Sequence, residues 1–264
     1  MTTRTEPMPG FADFFRQAAA AAAREGLPRF RTGLTVDNKL DAGFDPVTEA
    51  DRAIERALRA LIHAAFPGDG ILGEEDGAEG LDRDNVWVID PIDGTRAFIS
   101  GLPVWGTLMG LTENGDAVAG MMAQPFTGEL FFGDETGAHY EGPGGARRLS
   151  TRKTGSLAEA SLFTTSPALY EGAKRACYDA LERAVRLPRY GTDCYAFAMV
   201  AAGHADMACE CGLKPYDIVG LIPIIEQAGG IVTRWDGGPA ETGGDILASG
   251  NPDLHAQALA LLNG

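Results

Sequence analysis

Apolar positions in this chain change period several times, and each change marks an element. Residues 11–24 read as a first helix with an alanine-rich middle, alanine being the strongest helix former, and Gly26-Leu27-Pro28 ends it. Residues 31–44 are polar and broken by glycine, a loop or hairpin carrying Lys39. Over 46–66 the apolar residues Val47, Ile54, Leu58, Leu61, Ile62 and Ala65 fall close to helical spacing, and Pro67-Gly68 stops the helix. Ile71-Leu72-Gly73 is a short strand running into Glu74-Glu75, followed by an acidic loop over 77–85. Val86-Trp87-Val88-Ile89 has the pattern of a buried strand and delivers Asp90 and Asp93 to its carboxyl end. There Pro91 removes a backbone donor and Gly94 permits a turn.

Two strands at 107–111 and 117–123 flank Asn114-Gly115-Asp116, a hairpin signal, and strands at 129–133 and 138–141 continue an antiparallel sheet. Gly142-Pro143-Gly144-Gly145 is the clearest break. Beyond it, strands at 161–165, 206–210, 231–235 and 246–249 alternate with helices at 169–185, 194–202, 216–227 and 252–262. The expectation is an α/β (α+β) protein with an N-terminal α+β half, 1–147, and a C-terminal α/β half, 148–264. One residue fits poorly. Pro223 falls inside the helix expected after Asp217, among Ile218, Leu221, Ile222 and Ile225, where it should kink or break it.

With 264 residues, 45% hydrophobic and 22% charged, the chain is long enough for a sizeable core and ordinary enough to be globular. Its formal charge of −15 argues against general nucleic-acid or anionic-membrane binding, yet leaves room for a phosphorylated substrate where bound cations reverse the local potential. Arg4 is not followed by an apolar h-region, and Ala18 to Ala23 is too short to span a bilayer, so a cytoplasmic location is expected. Cys177, Cys194, Cys209 and Cys211 lack zinc-site spacing and are expected as reduced thiols, with Cys209 and Cys211 on one side of a strand.

Four acidic clusters stand at element ends: Asp45-Pro46-Val47-Thr48-Glu49-Ala50-Asp51, Gly73-Glu74-Glu75-Asp76, Asp90 to Thr95, and Tyr216-Asp217. Each has a plainer interpretation. Thr48 with Asp51 has capping-box spacing, Glu74 to Asp76 suits a solvated turn, and Asp217 suits a first helical turn after Pro215. Asp90 is hardest to dismiss, because a buried strand leads straight into it, and a buried carboxylate needs a partner such as a divalent cation.

In that order the clusters resemble the inositol monophosphatase family: a strand-borne D-P-x-D-G-T at Asp90 to Thr95, an upstream G-E-E at Gly73 to Glu75, D-x-V-T-x-x-D at Asp45 to Asp51, and Tyr216-Asp217 where tryptophan-aspartate is commoner. The resemblance covers about residues 10 to 260. It implies a layered αβαβα sandwich of the inositol monophosphatase and sugar phosphatase type, a homodimer, and two or three Mg²⁺ ions per site. Glu74, Asp90 and the carbonyl of Ile92 would hold a first ion, and Asp90, Asp93 and Asp217 a second. Thr95, Asp51 and Glu74 would be catalytic, Thr95 and Asp51 orienting the attacking water. Gly94 and Thr95 would present backbone N–H groups to the phosphate.

The chemistry agrees, since paired cations neutralise a phosphomonoester dianion and lower the pKa of water. His63, His139, His204 and His255 are scattered outside the acidic motifs and are expected in packing or surface roles.

Substrate choice rests on Thr192, Asp193 and Glu210. On a strand over 205–211, Glu210 would share a side with Asp206 and Ala208. In the resembled family a glutamate seven residues before the metal aspartate touches the alcohol, and Gly191-Thr192-Asp193 matches a G-T-A substrate segment. The plainer interpretation of Asp193 is a helix-start acid. Together Asp193 and Glu210 would make an anionic pocket suited to an ammonium or imidazolium. The segments 93–101 and 213–217 resemble the histidinol-phosphate phosphatase branch. L-histidinol phosphate, a step of histidine biosynthesis, is therefore the expected ester, with inositol-1-phosphate or another sugar phosphate as the alternative. A non-catalytic cation-binding protein is the lower-ranked alternative; it could lack the water-orienting pair, and the presence of Thr95 and Asp51 counts against it.

Overall fold

The computed structural model describes residues 11–33, 36–38 and 46–264; Lys39 and Asp45 lie outside them. Helix α1 (Phe11–Gly26) is followed by strands β1 (Val36–Asn38) and β2 (Pro46–Thr48), which pair antiparallel as a small hairpin. Thr48 then caps helix α2 (Glu49–Ala65): its hydroxyl accepts the Ala50 N–H, and Asp51 reaches back to the Thr48 N–H, the capping box expected from their spacing. Helix α2 therefore begins three residues later than its apolar pattern suggests, because Pro46 and Val47 are taken up by the hairpin.

Strands β3 (Gly70–Gly73), β4 (Ala78–Glu79), β5 (Asn85–Asp93), β6 (Gly106–Glu113), β7 (Asp116–Gln124), β8 (Glu129–Asp134), β9 (Gly137–Glu141) and β10 (Arg147–Arg148) form one sheet in the order β10-β9-β8-β7-β6-β5-β3-β4, with helix α3 (Thr95–Ile99) between β5 and β6. Among the described strands of this sheet only β3 and β5 pair in parallel. The strand expected to end at Ile89 continues to Asp93. Between Asp90 and Asp93 its register with β6 slips by one residue, a bulge that accommodates Pro91 in a central strand. Thr107 Oγ1 donates to the Pro91 carbonyl there, at 2.8 Å.

The second half holds β11 (Ser161–Thr164), α4 (Gly172–Ala184), β12 (Leu187–Tyr190), α5 (Tyr195–Ala201), β13 (Met207–Leu213), α6 (Pro215–Ile218), α7 (Ile222–Gln227), β14 (Ile231–Arg234), β15 (Gly244–Ser249) and α8 (Pro252–Leu262). Its sheet has the order β12-β11-β13-β15-β14. Strand β12 has no apolar run of its own, and its sequence pattern does not predict it; it pairs in parallel with β11. Helix α4 starts at Gly172 rather than 169, a 3₁₀ turn at Pro167–Leu169 preceding it. The single helix expected over 216–227 is two, α6 and α7. Pro223 lies in the first turn of α7, where its missing N–H costs no helical bond.

Three buried clusters define five layers. Phe14, Phe15, Ile54 and Leu58 of α1 and α2 pack on Trp87, Ile89, Met109 and Met121 of the first sheet. Its opposite face, with Leu108, Met122 and Phe131, meets α5, α6 and α7, which also cover Ala208, Ile246 and Ala248 of the second sheet. Tyr178 of α4 and Leu254 of α8 close the far side over Met207, Cys209 and Leu247. This is the αβαβα sandwich, and its central helix layer is shared by both sheets. The alternation of Ala208 with Met207 and Cys209 follows the period of a strand. All four cysteines are free. Among the described residues no helix is long and apolar enough to cross a membrane.

Candidate active site

Glu74 leaves β3 beside the bulge of β5. Because those strands pair in parallel, with Gly73 opposite Ile89, the Glu74 N–H reaches the Ile89 carbonyl at 3.2 Å, and Glu74 stands next to Asp90. The bulge brings Asp90 and Asp93 together despite a separation that would place them on opposite faces of a regular strand. Asp217 arrives from the second half on α6, its carboxylate accepting the Lys214 N–H at 2.6 Å. One carboxylate oxygen each from Asp90, Asp93 and Asp217 lies within 4.8 Å of the others. The carboxyl of Asp90 also contacts those of Glu74 and Asp217.

These groups line a cavity of about 230 Å³ together with Ile92, Gly94, Thr95, Asp193 and Glu210. Burial, followed by the charges of Glu74, Asp93 and Asp217, pushes the Asp90 carboxyl well above its ordinary range. Burial and the charges of Asp217 and Asp193 do the same to Asp93, against the stabilising Cys194 N–H at 2.7 Å. Asp217 is pushed up to about 7, first by burial and then by the Glu74 charge, against its bond from Lys214. Asp90 Oδ1 is buried with no donor. A nest of mutually repelling carboxylates, Asp90 buried with an orphaned oxygen and Asp93 and Asp217 half-buried beside it, fits a hard divalent cation.

Asp51 is buried and accepts both the N–H and the hydroxyl of Thr48, at 2.8 and 2.6 Å, through Oδ2. Its Oδ1 has no partner, and burial raises its pKa, the Glu74 charge adding to the effect. Asp51 thus caps α2 and keeps a second oxygen unused. Thr95 Oγ1 donates to the Ile92 carbonyl at 3.0 Å. Among the described residues no hydrogen bond joins Thr95 to Asp51. Gly94 adopts a left-handed φ of +82° and lies so near Asp193 that a side chain would find the Asp193 Cβ at 3.1 Å.

Asp193 does not act as a helix cap: α5 begins after Cys194 with no side-chain cap, and Asp193, at φ +42°, lines the cavity. Burial pushes its pKa up to about 6 against the nearby Arg96 and a hydrogen bond with Thr165. Glu210 is buried, accepts the Thr165 N–H at 2.5 Å, and is pushed up to about 8 by burial, with the Asp193 charge contributing. Thr192 stands outside the cavity lining, its Oγ1 buried without a partner. No histidine lines the cavity. His255 packs in the second half between Ser249 and Thr233, and His63 pairs with Glu79.

Neither Arg96 nor Glu55 is among the site residues that the sequence motifs single out. Arg96 sits in the cavity lining directly after Thr95. Glu55 is fully buried on α2 and accepts the Glu75 and Asp76 N–H groups. The signal for it was present: Asp51, Glu55 and Arg59 recur at four-residue steps along one helix face.

The profile of the inositol monophosphatase family matches residues 10–263. The chain is 39% identical over 257 residues to the chloroplastic bifunctional phosphatase IMPL2 of Arabidopsis thaliana, covering 93% of this chain and 73% of that protein. It is 33% identical over 258 residues to a histidinol-phosphatase of Mycobacterium tuberculosis, covering 95% and 98%. A solved inositol monophosphatase from Zymomonas mobilis shares the fold with a TM-score of 0.85 and 37% identity, over 97% of this chain and all of that one. A match of this extent accounts for the five layers and for acids converging from both halves, and the chain belongs to the inositol monophosphatase family of phosphatases.

Proposed function

We propose that this phosphatase acts on a monoester whose alcohol part is cationic, L-histidinol phosphate, in a Mg²⁺-dependent hydrolysis. The observation that carries the reading is the pair Asp193 and Glu210 in the same cavity as Asp90, Asp93 and Asp217. Both acids are held above their ordinary range, Glu210 buried and pushed up to about 8, Asp193 half-buried and pushed up to about 6. An ammonium or imidazolium beside them favours the ionised form of both and gains charge-assisted hydrogen bonds, whereas neutral inositol gains less. The similarity to the histidinol-phosphatase of Mycobacterium tuberculosis supports this reading.

Glu74, Asp90, Asp93, Asp217 and the Ile92 carbonyl would hold two or three Mg²⁺ ions, the oxygen donors such cations take. When bound, the ions neutralise the phosphate and lower the pKa of water. The Gly94 and Thr95 N–H groups orient the phosphate. Thr95, Glu74 and Asp51 orient the attacking water, and Asp51 Oδ1, which no donor holds, receives its proton. The water oxygen forms the new bond to phosphorus. The ester P–O bond breaks and L-histidinol leaves, its alkoxide taking up a proton from solvent water. The reading includes a step of histidine biosynthesis in the cytoplasm, a homodimer, and two halves, 1–147 and 148–264, that meet at the cavity.

A comparison of kcat/KM on histidinol phosphate and inositol-1-phosphate, with and without Mg²⁺, tests it. Preference for histidinol phosphate is expected. An inositol phosphate preference of about tenfold or more overturns the substrate assignment, and Mg²⁺-independent turnover overturns the metal assignment.

A further inference from the structure

Glu55 does not touch the cavity, yet it is the most completely satisfied buried carboxylate near it. Its side chain has no exposure. Oε2 accepts the Glu75 N–H at 2.8 Å, and Oε1 accepts the Asp76 N–H at 3.0 Å and the Arg59 Nε at 2.8 Å. The Arg59 fork also donates to the Gly77 carbonyl, the same carbonyl that accepts the Gly73 N–H. The turn 73–77 is thus filled from below by a carboxylate and tied to α2 by a guanidinium. Gly73 makes this possible: a Cβ there would lie 2.5 Å from the Glu55 Cδ and 2.7 Å from Arg59 Nη2.

Glu74 sits on that turn between two anchors. Its own N–H is held by Ile89, the neighbour of Asp90, and the two following N–H groups are held by Glu55. One helical turn earlier on α2 stands Asp51, with its Oδ1 unpartnered and its carboxyl within the field of Glu74. A single rigid helix therefore carries Asp51 and, through Glu55, sets where Glu74 stands.

We propose that Glu55 is a positioning residue: with Arg59 it clamps the 73–77 turn so that Glu74 is presented as a cation ligand beside Asp90. The assignment rests on the metal site of the proposed function. It predicts a specific defect, in cation affinity rather than in chemistry or substrate binding. Partners that orient metal ligands typically alter metal affinity about 10- to 100-fold when removed.

The test is calorimetric titration of MgCl₂ into the wild-type protein and Glu55→Gln, an isosteric change that turns an amide against the turn's N–H groups. The Mg²⁺ dissociation constant is expected to rise about tenfold or more. At saturating Mg²⁺, kcat and the ester KM are expected to stay within about threefold of wild type. Asp206→Asn, which removes a buried hydrogen-bond acceptor from the Ser161 N–H in the second half, is the control for general destabilisation, and its Mg²⁺ affinity is expected to stay at the wild-type value. Should Glu55→Gln fail to fold, Arg59→Lys keeps the charge, loses the fork, and is expected to weaken Mg²⁺ binding about threefold.

A folded variant with wild-type Mg²⁺ affinity overturns the proposal, as does an equal loss in Asp206→Asn. Calorimetry needs no substrate. If the wild type binds Mg²⁺ but hydrolyses no phosphomonoester, the proposed function falls while the Glu55 assignment stands on the titration. A wild type that takes up no Mg²⁺ overturns both.

Discussion

Gly120 on β7 and Gly220 in the link between α6 and α7 meet backbone to backbone: a Cβ on Gly120 would lie 2.8 Å from the Gly220 carbonyl carbon. Gly110 and Gly133, the register partners of Gly120 on β6 and β8, extend the contact, facing Gly220 and Pro223. This bare track across the first sheet lets the α6–α7 link lie close and carries Asp217 towards Asp90.

Gly120→Ala is therefore expected to destabilise the protein by about 2 kcal/mol or more, because the obstructing atoms are backbone and cannot rotate aside. Urea unfolding followed by circular dichroism measures this. A change of under about 0.5 kcal/mol would mean that the layers have room to part.

Without a cation the acidic cavity opposes folding as pH rises. Asp217 at about 7 and Glu210 at about 8 both stand above their ordinary range, chiefly through burial. The unfolded chain releases these protons first. The stability tied to them is complete below about pH 4 and is lost as pH rises through the folded values. In a chelator, the melting temperature is expected to fall between about pH 5 and pH 8.5, and saturating Mg²⁺ to remove most of that fall.

Asp93→Asn removes one of the repelling charges. The variant is expected to match or exceed the wild-type melting temperature in chelator, to lose the stabilisation by Mg²⁺, and to turn over about a hundredfold more slowly or worse. Unchanged turnover would remove Asp93 from the ligand set.

Asp193→Asn and Glu210→Gln test the anionic pocket. Each is expected to lower kcat/KM for histidinol phosphate about 10- to 100-fold, the value of a charge-assisted hydrogen bond, and to leave inositol-1-phosphate within about threefold. Equal losses on both esters would mean that the two acids support the cavity rather than read the alcohol.

His255 lies buried with Nδ1 3.0 Å from Ser249 Oγ and Nε2 2.8 Å from Thr233 Oγ1, and burial lowers its pKa to about 4. The unfolded chain protonates first as pH falls. This contribution is complete above about pH 6.5 and is lost towards pH 4, about 3 kcal/mol in all. His255→Gln is expected to flatten that acid limb in pH-dependent urea melts.

The helices and ligand types were legible before folding because they are local properties. The Ile54, Leu58 and Ile62 stripe, the Thr48–Asp51 box and the Asn114–Gly115 turn each declare themselves within a few residues. Less local features were not legible. The strand ending in Asp93 looked four residues shorter, because a proline in a central strand is tolerated only at a bulge, and the bulge exists only against β6. Strand β12 exists only against β11. The 216–227 segment looked like one helix because its apolar spacing is helical. The close approach of Gly220 to the first sheet goes with a break before Pro223, which then opens α7.

The chain by itself determined which acids are present, their order, and which elements carry them, since periodicity, capping and turn chemistry act between neighbours. Tertiary structure decided which of them meet. Parallel pairing set Glu74 beside Asp90, the bulge turned Asp93 to the same side, the glycine track brought Asp217 across, and Glu55 took the turn's N–H groups. Burial and the repulsion of like charges arise only when distant segments close around one cavity, and spacing along the chain does not encode them.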